Sequence, residues 1–319
     1  MKIRLMALIA ALTVCLSACH SGSTSKKYFV AFSQCNNAEP YRAAQNQLME
    51  KLFKEKGDMQ LVIADAQQDN SKQIAQIETF IRQKPDLLIV APNERAPLTD
   101  VMGRAMAAGI PVICLERDIT QDHYTTFIGA DNLSIGKMAG QFIVDSLTHK
   151  YGKPRGKIVE MRGLLGVEAE MERYNGAHDV IKGYPEIKVV HEAVADWLQD
   201  SARARMLEIL RAQPEVDIVY GHNDPMAAGA YLAARELGRE KQIQFIGVDG
   251  LGGPAGGIKK VMDGVLVSTF YYPLCVDKAV EVGEQILHDP SFHPEKKYIL
   301  QPKLITAENA GEMYGKLTF

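Results

Sequence analysis

From residue 28 onward the apolar positions fall into short unbroken runs, separated by longer stretches whose apolar residues recur at helical spacing. Residues 28–33 predict a strand, and residues 41–56 put Leu48, Leu52 and Phe53 on one helical face. The alternation continues with strands over 60–64, 87–91 and 111–115 and helices over 71–83 and 96–108. Continuous apolar strands of this length mark a parallel sheet covered on both faces, which is a doubly wound α/β unit. The beat then restarts, with strands over 128–130, 157–161, 187–193, 218–221 and 244–248 and helices over 134–148, 170–181, 200–213, 226–237 and 256–263. A last strand pair, 265–270 and 297–304, flanks a helix over 274–287. Two α/β units of similar size predict two lobes with a cleft between them and a ligand at the carboxyl ends of the strands.

The first residues follow a different pattern. Lys2 and Arg4 precede an apolar run from Leu5 to Leu16, too short to cross a bilayer of ~30 Å comfortably, and small residues follow. This is a secretory signal. Its ending, Leu16-Ser17-Ala18-Cys19, resembles the bacterial lipobox. The resemblance implies a signal peptide over 1–18 and a diacylated Cys19 that anchors the protein to a membrane on the periplasmic side of the cell envelope. Residues 19–27, mostly polar and without periodicity, read as a flexible tether. No later apolar run reaches the ~18 residues of a membrane span.

Composition narrows the chemistry. With 36 basic and 39 acidic residues the formal charge is -3, which argues against a nucleic-acid partner. Beyond Cys15 and Cys19, only Cys35, Cys114 and Cys275 remain, an odd, scattered set that is neither a disulfide framework nor a zinc site. The eight histidines show no metal-ligand spacing, and neither G-x-S-x-G nor H-E-x-x-H nor a Walker motif is present. No cofactor or metal is expected. Gly250-Leu251-Gly252-Gly253-Pro254-Ala255 matches a dinucleotide fingerprint superficially. It lies at the end of the second unit, lacks the acidic partner about twenty residues on, and carries Pro254 inside the turn. A glycosidase pair drawn from Glu39, Glu116 and Asp249 is the other enzymatic reading, but a sugar cleft needs carboxylates for binding as well.

The candidate site residues stand at the strand ends. The first strand is followed by Asn37, Glu39, Tyr41 and Arg42, and the fourth by Glu116, Arg117 and Asp118. The second unit offers Arg173, Asp196-Trp197, His222-Asn223-Asp224, Asp249-Gly250 and Phe270-Tyr271-Tyr272-Pro273. Carboxylates accept from hydroxyls, Arg and Asn donate or bridge, and an aromatic face covers the C–H side of a sugar ring, so this set suits a polyhydroxylated ligand. Structural explanations compete: Asn223-Asp224-Pro225 also reads as a helix start capped by Asp, Asp249-Gly250 as a turn, and Trp197 as core packing.

Phe32-Ser33-Gln34 with Tyr41-Arg42, Leu115-Glu116-Arg117, Gly129-Ala130-Asp131-Asn132, Glu172-Arg173 with Gly176, the run from Tyr220 to Ala227, and Gly247-Val248-Asp249-Gly250 together resemble the periplasmic sugar-binding proteins of the ribose type. These share their type I fold with the ligand domains of LacI-type repressors. The resemblance implies two doubly wound lobes, 28–130 plus 272–300 and 131–271 plus 301–319, joined by a three-strand hinge. It implies a monomer that closes on one monosaccharide-sized sugar or polyol and performs no chemistry on it. Asn37, Glu39, Tyr41, Arg42, Glu116 and Arg117 would line one face and Arg173, Trp197, Asn223, Asp249 and Tyr271 the other. Glu39-Pro40 replaces a phenylalanine pair of the ribose type, and Glu116 replaces its aspartate. An aromatic residue, Tyr271 or Phe270, stands where relatives carry an amide or acid, which argues against ribose itself, and the Ser33-Gln34 start with the Tyr41-Arg42 pair is nearer the galactofuranose branch and the sensing domains of membrane kinases. An ABC importer is the expected partner, with a membrane sensor kinase as the alternative. A repressor is excluded by the absence of a helix-turn-helix before Tyr28 and by the export signal.

Overall fold

The computed structural model describes residues 28–317; the expected signal peptide, Cys19 and the tether lie outside the described residues. The first sheet contains β1 (Tyr28–Gln34), β2 (Met59–Asp65), β3 (Leu87–Val90), β4 (Val112–Leu115), β5 (Thr126–Ala130) and β11 (Lys297–Leu300). Their order is β2-β1-β3-β4-β5-β11, parallel throughout. The second contains β6 (Gly156–Arg162), β7 (Ile187–Val194), β8 (Ile218–Gly221), β9 (Gln244–Ile246), β10 (Ser268–Tyr271) and β12 (Lys303–Thr306). Its order is β7-β6-β8-β9-β10-β12, parallel except for the antiparallel pair β10 and β12. Every residue of β3, β4, β5 and β8 is buried, as unbroken apolar strands inside a doubly wound sheet require.

Helices α1 (Pro40–Glu55), α2 (Asn70–Gln83) and α3 (Arg95–Ala107) connect the strands of the first sheet. Helices α4 (Asn132–Tyr151), α5 (Glu168–Ile181), α6 (Gln199–Ala212), α7 (Asp224–Glu236) and α8 (Gly257–Met262) serve the second. The chain then returns through α9 (Val276–His288), packed on α1, and ends in α10 (Ala310–Leu317), packed on α8. The result is two α/β lobes, each with a strand-order reversal at its centre, between β1 and β3 and between β6 and β8. Loops at such a reversal diverge and leave a crevice.

The chain passes from one sheet to the other after β5, after β10 and between β11 and β12. The expected single strand over 297–304 is therefore corrected. Pro302 has no amide hydrogen to continue a ladder, and the run divides there. Its first half pairs with β5, while Lys303 pairs with Tyr271 in the other sheet. The preceding strand begins at Ser268 rather than 265, because Gly264 turns the chain at φ 72° just before it. Helix α10 had no counterpart in the apolar pattern.

Helices α4 and α5 approach closely enough that a Cβ on Gly136 would strike the Arg173 carbonyl, and one on Gly176 the Leu133 carbonyl. Both positions need glycine for contact rather than for backbone freedom. Since α5 carries Arg173, Gly176→Ala is expected to destabilise the fold by about 1–3 kcal/mol through forced separation of the helices. Urea unfolding checks this, and an unchanged midpoint would show that the helix pair relaxes freely.

Candidate functional site

The carboxyl ends of the two sheets face each other across a narrow cavity. Glu39, Tyr41 and Arg42 reach it from the start of α1, where Pro40 occupies the first turn. Glu116 and Arg117 come from the end of β4. The opposite wall is Ala169 and Arg173 on α5, Trp197 before α6, Asn223 at the start of α7, and Asp249. Tyr272 closes the side at the second crossing.

Glu116 is the hub of the first wall. It is 3% exposed, and its carboxylate lies 2.5 Å from Arg42 Nη2 and 3.6 Å from Arg117 Nε, while Tyr272 Oη donates to it at 2.7 Å. Burial opposes its charge, but the two guanidinium groups and the tyrosine prevail and hold the carboxyl below the ordinary range. Arg117 also donates to the Asn93 carbonyl at 3.0 Å and lies 3.7 Å from Glu39, which Asn36 Nδ2 holds at 2.7 Å. Tyr41 stacks on Tyr272 with ring centroids 5.1 Å apart and donates to the Pro273 carbonyl at 2.6 Å.

In the second wall Arg173 donates from Nε to Asn132 at 3.0 Å and from Nη1 to the His222 carbonyl at 2.6 Å. The guanidinium groups of Arg117 and Arg173 each lie 5.7 Å from the Trp197 ring. Asn223 combines both expected roles: its Oδ1 caps α7 by accepting from Met226 N at 2.9 Å, and its Nδ2 donates to the Trp197 carbonyl at 3.0 Å. The cap is therefore Asn223, with Asp224 as the first helical residue. Burial, the nearby Asp224 carboxyl and only partial relief from Arg173 push the Asp249 carboxyl well above the ordinary range.

Three of these residues have left-handed backbones: Glu116 at φ 67°, Trp197 at 69° and Asp249 at 122°. Such conformations cost ~1–3 kcal/mol each and persist only where surrounding contacts enforce them. They turn the chain sharply at the strand ends, so that the side chain enters the cavity instead of continuing along the sheet. Trp197 further depends on Gly163, because a Cβ there would run into the indole ring.

Nine of the eleven candidate residues thus meet at one cavity. Asn37 does not: it is exposed and accepts from Asn46 at 2.6 Å, while its neighbour Asn36 turns inward. Tyr271 is also corrected. Successive side chains of an extended chain face opposite ways, and Tyr271 packs against the core of the second lobe, which leaves Tyr272 in the cavity. Phe270, the other aromatic candidate there, is core. Ala169 carried no sequence signal, since a small residue shows its value only by the space it leaves.

The Gly250–Ala255 loop is not a phosphate cradle. Gly250 N donates to Asp224 at 2.9 Å, and a Cβ on Gly257 would strike the same carboxylate, so a buried anion already faces the loop. Among the described residues, Glu160, His178 and Glu192 bring metal-donor atoms within 4.8 Å of one another. Their donor capacity is spent on hydrogen bonds, with Arg162 3.0 Å from Glu192 where a cation would compete.

The periplasmic binding protein domain profile matches residues 30–273. The chain belongs to this family of periplasmic binding proteins. This binding protein is 33% identical over 273 residues to the ribose import binding protein of Bacillus subtilis, covering 84% of this chain and 85% of that one. It is 30% identical over 294 residues to the galactofuranose-binding protein of Escherichia coli, with 89% of each covered. Among solved structures, the fructose-binding periplasmic domain of a hybrid two-component system superposes with a TM-score of 0.85 at 36% identity, covering 91% of this chain and 94% of that one. The family is one of substrate-binding proteins. No described helix is long and apolar enough to cross a membrane.

One contact across the cleft of this binding protein is titratable. Asp118 N, after β4, donates to Glu168 at the start of α5 at 3.2 Å. Burial, Glu172 and Asp118 push the Glu168 carboxyl up to about 7, against relief from Arg95. Where the lobes separate, the contact is lost and the carboxyl is expected to return towards its ordinary 4.5, so that closure would take up a proton. The contribution of Glu168 to the closed form is then fully present below about 4.5 and is lost as pH rises through about 7. The radius of gyration from small-angle scattering is expected to grow over that interval, and Glu168→Gln to flatten the profile.

Proposed function

We propose that this protein closes on one neutral, monosaccharide-sized sugar and delivers it to an ABC importer. The observation that carries this reading is a set of buried polar groups without hydrogen-bond partners on residues that line one cavity. Arg42 Nε, Arg117 Nε and Trp197 Nε1 have no hydrogen-bond partner among the described residues. Buried donors of this kind are costly unless a ligand satisfies them. Glu116 is paired with Arg42 and Arg117, and Arg173 is held by Asn132 and the His222 carbonyl, so the charged groups of the site are already engaged by the protein and it favours an uncharged ligand rich in hydroxyls. Trp197 and Tyr272 supply apolar faces for the C–H side of a ring. The names of the ribose and galactofuranose relatives agree with this chemistry. Lobes 28–130 plus 272–300 and 131–271 plus 301–319 move about the three crossings, and a lipid on Cys19 holds the molecule beside its membrane partner.

A second reading has the closed protein present the sugar to a membrane sensor, favoured by its 36% identity to a sensing domain. In a deletion strain, lost uptake supports the importer and lost induction with intact uptake supports the sensor.

A thermal-shift screen over pentoses, hexoses, furanoses and polyols is expected to show one sugar that stabilises strongly, since ligand at about 100 times Kd adds ~2.7 kcal/mol. Arg117→Ala and Asp249→Ala are each expected to weaken that sugar by about a hundredfold, as loss of a buried hydrogen-bond partner does. Calorimetry decides this, and near-native affinity in both variants places the ligand elsewhere. Cys19→Ala is expected to move the protein from the membrane to the soluble envelope fraction; unchanged membrane association argues against the anchor.

A further inference from the structure

Behind the second wall, a chain of hydrogen bonds runs from the protein surface to the cavity. Glu160 on β6 is 2% exposed. His178, partly exposed on α5, shares a hydrogen bond of 2.7 Å with its Oε2, and His222, fully buried just beyond β8, shares one of 2.8 Å with its Oε1. Burial works against ionisation of Glu160, but the two imidazoles outweigh it and its carboxyl is held below the ordinary range. A carboxylate only accepts, so each ring donates from Nε2. The other nitrogen of His222, Nδ1, is buried without a hydrogen-bond partner, which leaves Glu160 as the single hydrogen-bonded tie on that ring.

The His222 backbone faces the cleft. Its carbonyl accepts from Arg173 Nη1 at 2.6 Å, and the next residue, Asn223, ties the Trp197 carbonyl and the start of α7. The ring tied to Glu160 and the carbonyl that aims a cavity guanidinium thus belong to one residue. All these residues belong to the lobe built on the second sheet, so the chain travels with that lobe whether the cleft is open or closed.

We propose that Glu160 is the positioning residue for Arg173, acting through His222, and that His178 links this arrangement to the protonation state of the surface. The reach of this proposal to ligand affinity rests on the reading of Arg173 as a ligand donor. Around His178 stand Glu160 and Arg162 of β6, Glu192 of β7 and Tyr174 of its own helix, stacked at 3.9 Å. Around Glu160 stand His178, His222 and Tyr220. The hydrogen bond to Glu160 raises the His178 pKa, so its charge is present below that raised value and lost as pH rises through it.

The test begins without a sugar, on the protein labelled with ¹⁵N at histidine and arginine. The Arg173 Nη1–H and His222 Nε2–H signals are expected to shift with the midpoint of His178. His178→Gln, which keeps a donor amide, is expected to remove that shift and leave Arg173 protected from hydrogen exchange. Glu160→Gln is expected to speed Arg173 exchange about tenfold, the scale of one hydrogen bond to a charged group. If Glu160→Gln fails to fold, the wild-type pH series and His178→Gln decide alone. Signals of His222 and Arg173 that ignore the His178 titration, or unchanged exchange in a folded Glu160→Gln protein, overturn the proposal. D-fructose is the probe for affinity, with about tenfold weaker binding expected in Glu160→Gln. Where D-fructose does not bind the wild type, the exchange data decide the positioning role and the sugar screen decides the ligand reading.

Discussion

The cleft depends on one buried charge. Glu116 and Arg42 are both nearly inaccessible, and their ion pair draws in residues from stretches far apart in the chain. Gln45 supports the arginine at 3.0 Å and anchors to the Leu274 carbonyl at 2.9 Å, while Tyr272 satisfies the other carboxylate oxygen. A buried pair adds little net stability, because desolvation of two ions cancels much of their attraction. Losing either partner is costly, because it leaves an uncompensated buried charge. Each partner must be met in place, so α1, the end of β4 and the second crossing are held to one arrangement. That crossing is also a path between the lobes, so the first wall of the cavity is tied directly to it.

A second constraint is strain confined to strand ends. The sheets are apolar and fully buried where they pack, and the left-handed residues Glu116, Trp197 and Asp249 lie just beyond them. Rigid strands can enforce such conformations because their own ladders are already saturated. Glycines play the complementary part by removing side chains where another group must approach. Gly163 admits the Trp197 ring, and Gly247 and Gly257 admit the Asp224 carboxylate. That carboxylate in turn accepts from Thr269 at 2.6 Å and helps fix the turn that presents Asp249.

The hydrogen-bonded chain from His178 to Arg173 and the Glu168 contact across the cleft differ in kind. The former lies within one lobe and sets the geometry of a wall. The latter joins two lobes and exists only when they meet. In both, surroundings move a carboxyl away from its ordinary range, Glu160 down, against its burial, through two imidazole partners and Glu168 up through burial.

The alternation of apolar runs and helical spacing determined the two α/β lobes, because continuous apolar strands can be satisfied only in covered parallel sheets. It also located most of the cavity residues, since residues after a strand of such a sheet must face the crevice. Side-chain direction was beyond it. Tyr271 and Tyr272 are adjacent and alike, and only the pairing of Tyr271 with Lys303 decides which of them turns inward. The same holds for Asn36 and Asn37, and for the run broken at Pro302, whose halves serve different sheets. The bond between Glu160 and His222 joins residues 62 apart, so no local pattern could announce it. Periodicity is a local property and reaches the sequence directly; the orientation of a side chain and the partner of a buried charge are set by what packs against them.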